Sequence, residues 1–263
     1  MTIALGMIAS DGIVLAADTQ ETEGYFKGFS LKINTGMTHT DINAKVKSAI
    51  GITGAGPSIH LDAISDEIIN RFHSHQHPEI NSFQSDLADC VREFYLRHVA
   101  PLPRHTDRDF RLIAGVQIEN TFALWTTDAT VLKQVNAMEA VGTGSPLAKM
   151  ALEPRYVCSD TTTAALLAIM AVSRAKEYDQ DCGKGTQVIC LKDNLAYEVP
   201  WSLILEVEKL MSKYAGIEHS AFQYALGVKS VHENERTRKI SKWLRSLRKE
   251  FRQLASQMLK ESP

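Results

Sequence analysis

The string TIALGMIASDGIVLAADTQ, residues 2–20, carries the strongest fold signal in the sequence. It contains two apolar runs, IALGMIA at 3–9 and IVLAAD at 13–18, which are rich in β-branched residues and are joined by Ser10-Asp11-Gly12. An Asp-Gly pair between two such runs is typical of a tight β-hairpin. We therefore predict that the chain begins with two buried, paired strands.

Beyond this hairpin the pattern alternates between strands and pairs of helices. Apolar runs with strand character and apolar residues at helical spacing predict, in chain order, strands at 31–33 and 49–53, helices at about 58–73 and 82–99, strands at 111–118, 121–126, 131–134 and 138–142, helices at about 145–153 and 160–176, and strands at 186–191 and 195–199. Each helix pair needs a sheet face to cover. The simplest arrangement is two packed sheets with helices outside both of them.

The C-terminal segment differs in kind from the rest of the chain. Residues 229–263 hold ten Lys or Arg and four Asp or Glu, so a tail of +6 follows a body of −8. Between 235 and 259 the apolar residues step by four and three positions, as Ile240, Leu244, Leu247, Phe251, Leu254 and Met258. This heptad seam, flanked by basic residues, predicts a long amphipathic helix. We expect two domains, 2–228 and 229–263.

Length and composition narrow the class of protein. The 263 residues are 44% hydrophobic and 23% charged, which is ordinary for a globular chain that buries a full core. No apolar run approaches the roughly 20 residues that cross a bilayer, and Met1 is followed by no basic segment typical of a signal peptide. The four cysteines are widely spaced without a Cys-x-x-Cys pair, which favours reduced thiols. We expect a cytoplasmic protein without a membrane span or cofactor.

Thr2 directly follows the initiator methionine. Its small side chain favours removal of Met1, which leaves a hydroxyl and an α-amine on one residue. An α-amine titrates near 7.7–8.0, so it can accept the hydroxyl proton near neutral pH without a histidine. Because many proteins begin Met-Thr, the dipeptide alone is weak evidence for a nucleophile.

The residues around Thr2 strengthen that interpretation. The string 2–20 resembles the opening hairpin of proteasome β-subunits and of the bacterial proteasome-like protease. Four further segments resemble the same family in the right order: YFKGFSLKI at 25–33, IGITGAG at 50–56, GTGSPLAKMALE at 142–153 and AKEYDQDCGKG at 175–185. The ordered set, covering about residues 2–200, is specific where each piece is not. It implies the α+β fold of N-terminal nucleophile hydrolases, a four-layer αββα sandwich, here with a C-terminal amphipathic helical extension.

The resemblance also implies roles for individual residues. Thr2 corresponds to the nucleophile, Asp18 to the conserved acid and Lys32 to the catalytic lysine, while Gly56 corresponds to the donor of the oxyanion-binding amide. Lys32 would lower the pKa of the nucleophile and keep the α-amine neutral. Asp18 would orient Lys32 through a charge-assisted hydrogen bond. Because the chain between Lys32 and Gly56 is longer than the usual hairpin, Lys45 is a rival for the lysine role.

Three supporting positions complete the resemblance, and two of them depart from it. Thr143 stands in the family's Gly-Ser-Gly-Ser turn, where it keeps the hydroxyl and adds a methyl. Asp179 and Cys182 stand in the Asp-x-x-Ser-Gly loop, where the thiol of Cys182 is a weaker hydrogen-bond donor than a serine. These changes tune the site or indicate a degenerate one.

The expected activity is a threonine-type peptidase or amidase, acting on a peptide or protein through an acyl-enzyme on Thr2. The family implies a homo-oligomer, and an ATPase unfoldase as a possible partner. The alternative is a non-catalytic scaffold that uses the C-terminal helix for assembly. That helix is expected to pack on the body or on a neighbouring subunit rather than on nucleic acid or an anionic membrane.

Two other kinds of site are disfavoured. His73, His75 and His77 have the spacing of a metal cluster, but a polar loop between helices explains them better, and we expect no metal. Gly54 and Gly56 suggest a phosphate-binding loop, yet no Lys followed by Ser or Thr comes after them.

Overall fold

The computed structural model describes residues 2–23, 26–40, 45–74, 79–103, 110–156, 158–225 and 233–261. The chain divides into two compact units, Met1–Val199 and Pro200–Pro263. The domain boundary expected at 228/229 falls within 226–232, outside the described residues.

The first unit contains twelve described strands and four described helices. In chain order they are β1 (Ala4–Ala9), β2 (Gly12–Asp18), β3 (Gln20–Glu23), β4 (Phe26–Phe29), β5 (Asn34–Thr40), β6 (Lys45–Ala55), α1 (Ser58–Ser74), α2 (Ile80–Phe94), β7 (Arg111–Ile118), β8 (Thr121–Asp128), β9 (Val131–Val135), β10 (Met138–Val141), α3 (Ser145–Leu152), α4 (Thr161–Tyr178), β11 (Thr186–Lys192) and β12 (Leu195–Glu198). A π-helical turn over Tyr95–Val99 extends α2.

Two antiparallel five-stranded sheets form the centre of this unit. The first has the order β10-β1-β2-β11-β12 and the second the order β5-β6-β7-β8-β9, while β3 and β4 form a separate hairpin. The predicted opening hairpin is confirmed, since Ala4 pairs with Ala17 and Ala9 with Gly12. Both of its strands are almost wholly buried, as continuous apolar runs require.

Helices cover the outer face of each sheet. One apolar core lies between α1, α2 and the β5–β9 sheet, and includes Ile52, Phe72 and Trp125. A second core lies between the two sheets, where Leu15 and Ile113 belong to one cluster. On the other side α4 packs on β1, β2 and β11, and α3 packs on α4. The predicted four-layer αββα sandwich is confirmed.

The second unit is formed by α5 (Trp201–Ala225) and α6 (Glu233–Glu261). The predicted C-terminal helix is present as α6, and three residues of its seam, Leu247, Leu254 and Met258, are buried. Leu244 on the same seam is 47% exposed. The seam is thus only partly covered within this chain.

The sequence patterns misplaced or missed some elements. The strand predicted at 31–33 is wrong, because these residues form the irregular segment between β4 and β5. The polar strands β3, β4 and β5 and the helix α5 were not predicted. No helix among the described residues is long and apolar enough to cross a bilayer.

Candidate active site

Thr2 lies two residues before the start of β1 and is buried, with 4% of its surface exposed. Its hydroxyl donates a hydrogen bond to Asp18 Oδ1 and accepts one from Lys32 Nζ. The hydroxyl therefore has both a proton acceptor and a cation in direct contact. The chain places Thr2 here because β1 pairs with β2, whose last residue is Asp18.

Asp18 is fully buried and is surrounded by hydrogen-bond donors. Besides the Thr2 hydroxyl, Oδ1 accepts the backbone N–H of Ile3 at 3.1 Å and Lys32 Nζ at 2.8 Å. Oδ2 accepts the backbone N–H of Gln20 at 3.2 Å and of Gly183 at 2.9 Å. A buried carboxylate needs such donors to satisfy its oxygens, and these contacts fix Asp18 in the position where it holds Lys32.

Lys32 reaches the site from the segment between β4 and β5. Its backbone N–H donates to the side-chain oxygen of Gln187 at 2.9 Å, and the N–H of Ile33 donates to the same oxygen at 3.0 Å. Nζ also donates to the Gln20 carbonyl at 2.5 Å. Burial lowers the pKa of Lys32 below its ordinary value, although Asp18 opposes the shift. The amine is thus a cation that loses its proton more readily than a free lysine.

Lys45, the rival for the lysine role, lies at the start of β6 and pairs with Thr40. Ala55, at the other end of that strand, lines the same cavity as Thr2. Ten residues of extended strand span about 33 Å. The structure therefore brings Lys32 to Thr2, and the assignment of the catalytic role to Lys32 stays a prediction.

The three supporting residues also meet beside Thr2. Burial raises the pKa of Asp179, but hydrogen bonds from the Asp181 backbone, Thr143 and Cys182 outweigh it, so the pKa lies below its ordinary value. The Cys182 thiol donates to Asp179 Oδ2 at 3.5 Å. Burial raises the pKa of Cys182 to about 12, which keeps it a protonated thiol at neutral pH. Cys182 is therefore suited to donate a hydrogen bond and not to attack a substrate.

A cavity of about 760 Å³ opens beside Thr2. Gly54, Ala55 and Gly56, at the end of β6 and the turn after it, line this cavity. Gly56 has a φ of 139°, a backbone conformation that favours glycine. Gly56, where the oxyanion amide is predicted, lies in this wall.

Several residues that hold the site were not predicted as site residues. Gln187 fixes the Lys32 segment across 155 positions of sequence, and the backbones of Gln20 and Gly183 contact the charged pair directly. Gly142 has a φ of 96°, and a Cβ there would lie 2.1 Å from the Thr2 carbonyl oxygen. Gln20, Gly142 and Gly183 lie inside the quoted motifs, whereas Gln187 lies outside all of them and left no signal in the sequence.

The described residues show no group of three or more His, Cys, Asp or Glu side chains that could hold a metal ion. His73 lies in the last turn of α1. His75 and His77 lie outside the described residues.

The two packed sheets, with a threonine at the head of β1, define the proteasome-like class of N-terminal nucleophile hydrolase folds. The chain is 26% identical over 210 residues to proteasome subunit beta 1 of Pyrobaculum calidifontis, a match that covers 73% of this chain and 90% of that protein. The predicted resemblance to proteasome β-subunits is thereby confirmed. No protein-family profile matches the chain.

Among solved structures the fold is similar to that of Anbu proteins, described as ancestral β-subunits. Anbu from Yersinia bercovieri superposes with a TM-score of 0.66 at 13% identity, covering 88% of this chain and 99% of that one. The helical assembly of the Anbu complex from Pseudomonas aeruginosa gives a TM-score of 0.69 at 16% identity, with the same coverage of both chains. Because 88% of 263 residues is about 231, the likeness in fold extends past the 199 residues of the first unit into the C-terminal helices.

Proposed function

We propose that the chain is a threonine hydrolase that cleaves peptide or amide bonds after Met1 has been removed. The observation that carries the proposal is the contact of the Thr2 hydroxyl with Lys32 Nζ and Asp18 Oδ1 in a buried site. An N-terminal threonine with a neighbouring cation matches what an activated hydroxyl nucleophile requires. The similarity to a proteasome β-subunit supports the same chemistry.

The reaction begins at the Thr2 hydroxyl. The freed α-amine takes the hydroxyl proton while the oxygen bonds to the substrate carbonyl carbon. Lys32 favours this step because its positive charge stabilises the developing oxyanion of threonine and keeps a second proton off the α-amine. A backbone N–H in the wall formed by Gly54, Ala55 and Gly56 donates to the tetrahedral oxyanion.

Collapse of this intermediate breaks the bond to the leaving amine, which takes the proton from the α-amine. An ester on Thr2 remains. Water then attacks the ester carbonyl and gives a proton to the α-amine, and the acid product leaves as the hydroxyl of Thr2 is restored. Asp18 takes no part in these proton transfers, since its role is to hold Lys32.

The proposal also covers the oligomeric state, the compartment and a partner of the protein. One of the similar structures is a helical assembly of the Anbu complex, and on that ground we propose that this chain also forms a homo-oligomer. All four cysteines are free thiols, as expected in the reducing cytoplasm. An ATPase unfoldase partner, implied by the resemblance, stays a prediction.

The test compares hydrolysis of fluorogenic peptides by the wild-type protein and by Thr2→Ala, with intact mass measured on both. We expect loss of Met1 and peptide cleavage in the wild type, and no cleavage by Thr2→Ala. Thr163→Ala, an exposed position on α4, is the matched control and should retain full activity. Retention of Met1 without cleavage would instead support the non-catalytic scaffold, and unchanged turnover by Thr2→Ala would rule out Thr2 as the nucleophile.

A further inference from the structure

The cavity beside Thr2 is lined by charged side chains that the attack on a carbonyl does not require. The charged side chains that line it are Glu21, Lys32, Asp62 and Arg111. A substrate residue whose carbonyl meets Thr2 must place its side chain near these groups. An inference about the side chain that this cavity accepts therefore rests on the proposed function, and it names the substrate class of that function.

Thr53 lies in the wall of this cavity on β6. Residues two apart on a strand share a face, so Thr53 faces the same way as Ala55, which belongs to the core between the sheets. Thr53 is 2% exposed, and its hydroxyl has no hydrogen-bond partner among the described residues. A buried hydroxyl without a partner costs free energy, so a bound group that hydrogen-bonds to it gains affinity.

Two of the four charged side chains already have partners within the protein. Lys32 is paired with Asp18 at 2.8 Å, and Arg111 has an interaction within the protein. Glu21 and Asp62 have no ion-pair partner among the described residues. These two carboxylates are therefore the charged groups of the cavity wall that are open to an ion pair with a substrate side chain.

These carboxylates come from different elements, Glu21 from β3 and Asp62 from α1. They also sense one another, because burial and then the charges of Glu21 and Asp66 raise the pKa of Asp62 above its ordinary value. A cation placed between two like charges relieves their repulsion. The arrangement thus favours the binding of a positive group.

We propose that the cavity binds a basic side chain, lysine or arginine, of the substrate residue whose carbonyl Thr2 attacks. The cation lies near Glu21 and Asp62 and donates hydrogen bonds to them, and the Thr53 hydroxyl accepts a further N–H. The chain thereby cleaves after basic residues, a preference set by Glu21, Asp62 and Thr53 and not by the catalytic contacts of Thr2.

The test uses three peptides that differ only in the residue before the scissile bond, which is arginine, leucine or glutamate. We expect kcat/KM for arginine to exceed that for leucine by about tenfold or more, and glutamate to be the poorest. Asp62→Asn and Glu21→Gln should each lower the arginine-to-leucine ratio by roughly three- to tenfold. Using a ratio removes the effect of a variant that folds less completely.

Two further variants sharpen the result. Thr53→Val keeps the shape but removes the hydroxyl, and it should shift the ratio toward leucine. Asp66→Asn removes a carboxylate one turn beyond Asp62 that does not line the cavity, so it should change the ratio less than twofold.

The outcomes separate this inference from the proposed function. Cleavage with a preference for leucine, or a ratio that Asp62→Asn leaves unchanged, overturns the inference alone. A preference for glutamate also overturns it and assigns specificity to Arg111. Absence of cleavage of all three peptides, together with the absence of covalent labelling at Thr2, overturns the proposed function and this inference with it.

Discussion

The Lys32 ammonium lies 2.8 Å from the Asp18 carboxylate, whose side chain is fully buried. Each charge is taken out of water only because the other is present. Removing one partner of such a pair leaves an uncompensated buried charge, which costs more than the pair itself contributes. This pair therefore links the stability of the hairpin end to the chemistry of Thr2.

The variant Asp18→Asn tests that link. It removes the carboxylate that pairs with Lys32. It also puts a neutral amide in place of the carboxylate that accepts the backbone N–H groups of Gln20 and Gly183. We expect the free energy of unfolding to fall by about 3–5 kcal/mol. Chemical denaturation measures the change. The matched control is Asp89→Asn, which breaks an exposed pair with Arg92 and should cost under about 1 kcal/mol. Equal effects would contradict a structural role for the pair.

The rate of hydrolysis should depend on pH through two groups. The α-amine must be neutral, so activity falls in acid, with a midpoint at or below its ordinary pKa of about 7.7–8.0 because the Lys32 cation disfavours a second charge. Lys32 must be charged, and its pKa is lowered from 10.5, so activity falls again as pH rises, with a midpoint below 10.5. The pH profile of kcat/KM measures both limbs.

Lys32→Arg is the control for the alkaline limb. It keeps the positive charge to far higher pH, so any activity that remains should not decline in the alkaline range. An alkaline limb at an unchanged position in this variant would assign that titration to another group.

Gly142→Ala should damage the site without touching a reacting atom. The backbone there has a φ of 96°, and the added Cβ would lie 2.1 Å from the Thr2 carbonyl oxygen. We expect the free energy of unfolding to fall by at least about 2 kcal/mol, and kcat to fall because Thr2 is displaced. In Gly216→Ala, a position on α5 with open space around it, the free energy of unfolding should instead rise by about 0.5–1 kcal/mol. Thermal or chemical denaturation of both variants checks the contrast.

The exposed part of the α6 seam should contribute to assembly. Leu244 is 47% exposed although it continues a seam that is otherwise buried at Leu247 and Leu254. We expect Leu244→Asp to reduce oligomer size in sedimentation velocity while the protein stays folded. Leu254→Asp, at a position that is 7% exposed, should instead destabilise the helix pair. If Leu244→Asp sediments like the wild type, the exposed part of the seam does not contribute to assembly.

The parts of the fold that sequence could predict are those that local patterns specify. The hairpin of β1 and β2 followed from two apolar runs and a turn, and α6 followed from its heptad seam. The segment around Lys32 was predicted as a strand because Leu31 and Ile33 flank it, but Gln187, distant in sequence, takes the N–H groups that a sheet partner would have used.

The same limit applies to the site. Thr2, Asp18, Lys32, Thr143, Asp179 and Cys182 were named from ordered motifs, and the structure brings them together. The carboxylates of Glu21 and Asp62 belong to no motif. Their common cavity exists only once β3 and α1 are placed in space, which no local pattern reveals.

Labelling of the protein with a peptide epoxyketone, followed by mapping of the adduct by peptide mass spectrometry, shows whether Thr2 is the nucleophile. Its two electrophilic carbons can take one bond from a hydroxyl and one from an amine on the same residue. We expect a single adduct on a Thr2 that has lost Met1, and we expect this adduct to form slowly or not at all in Lys32→Met. A Thr2 that retains Met1 and stays unlabelled while peptides are still cleaved would contradict it.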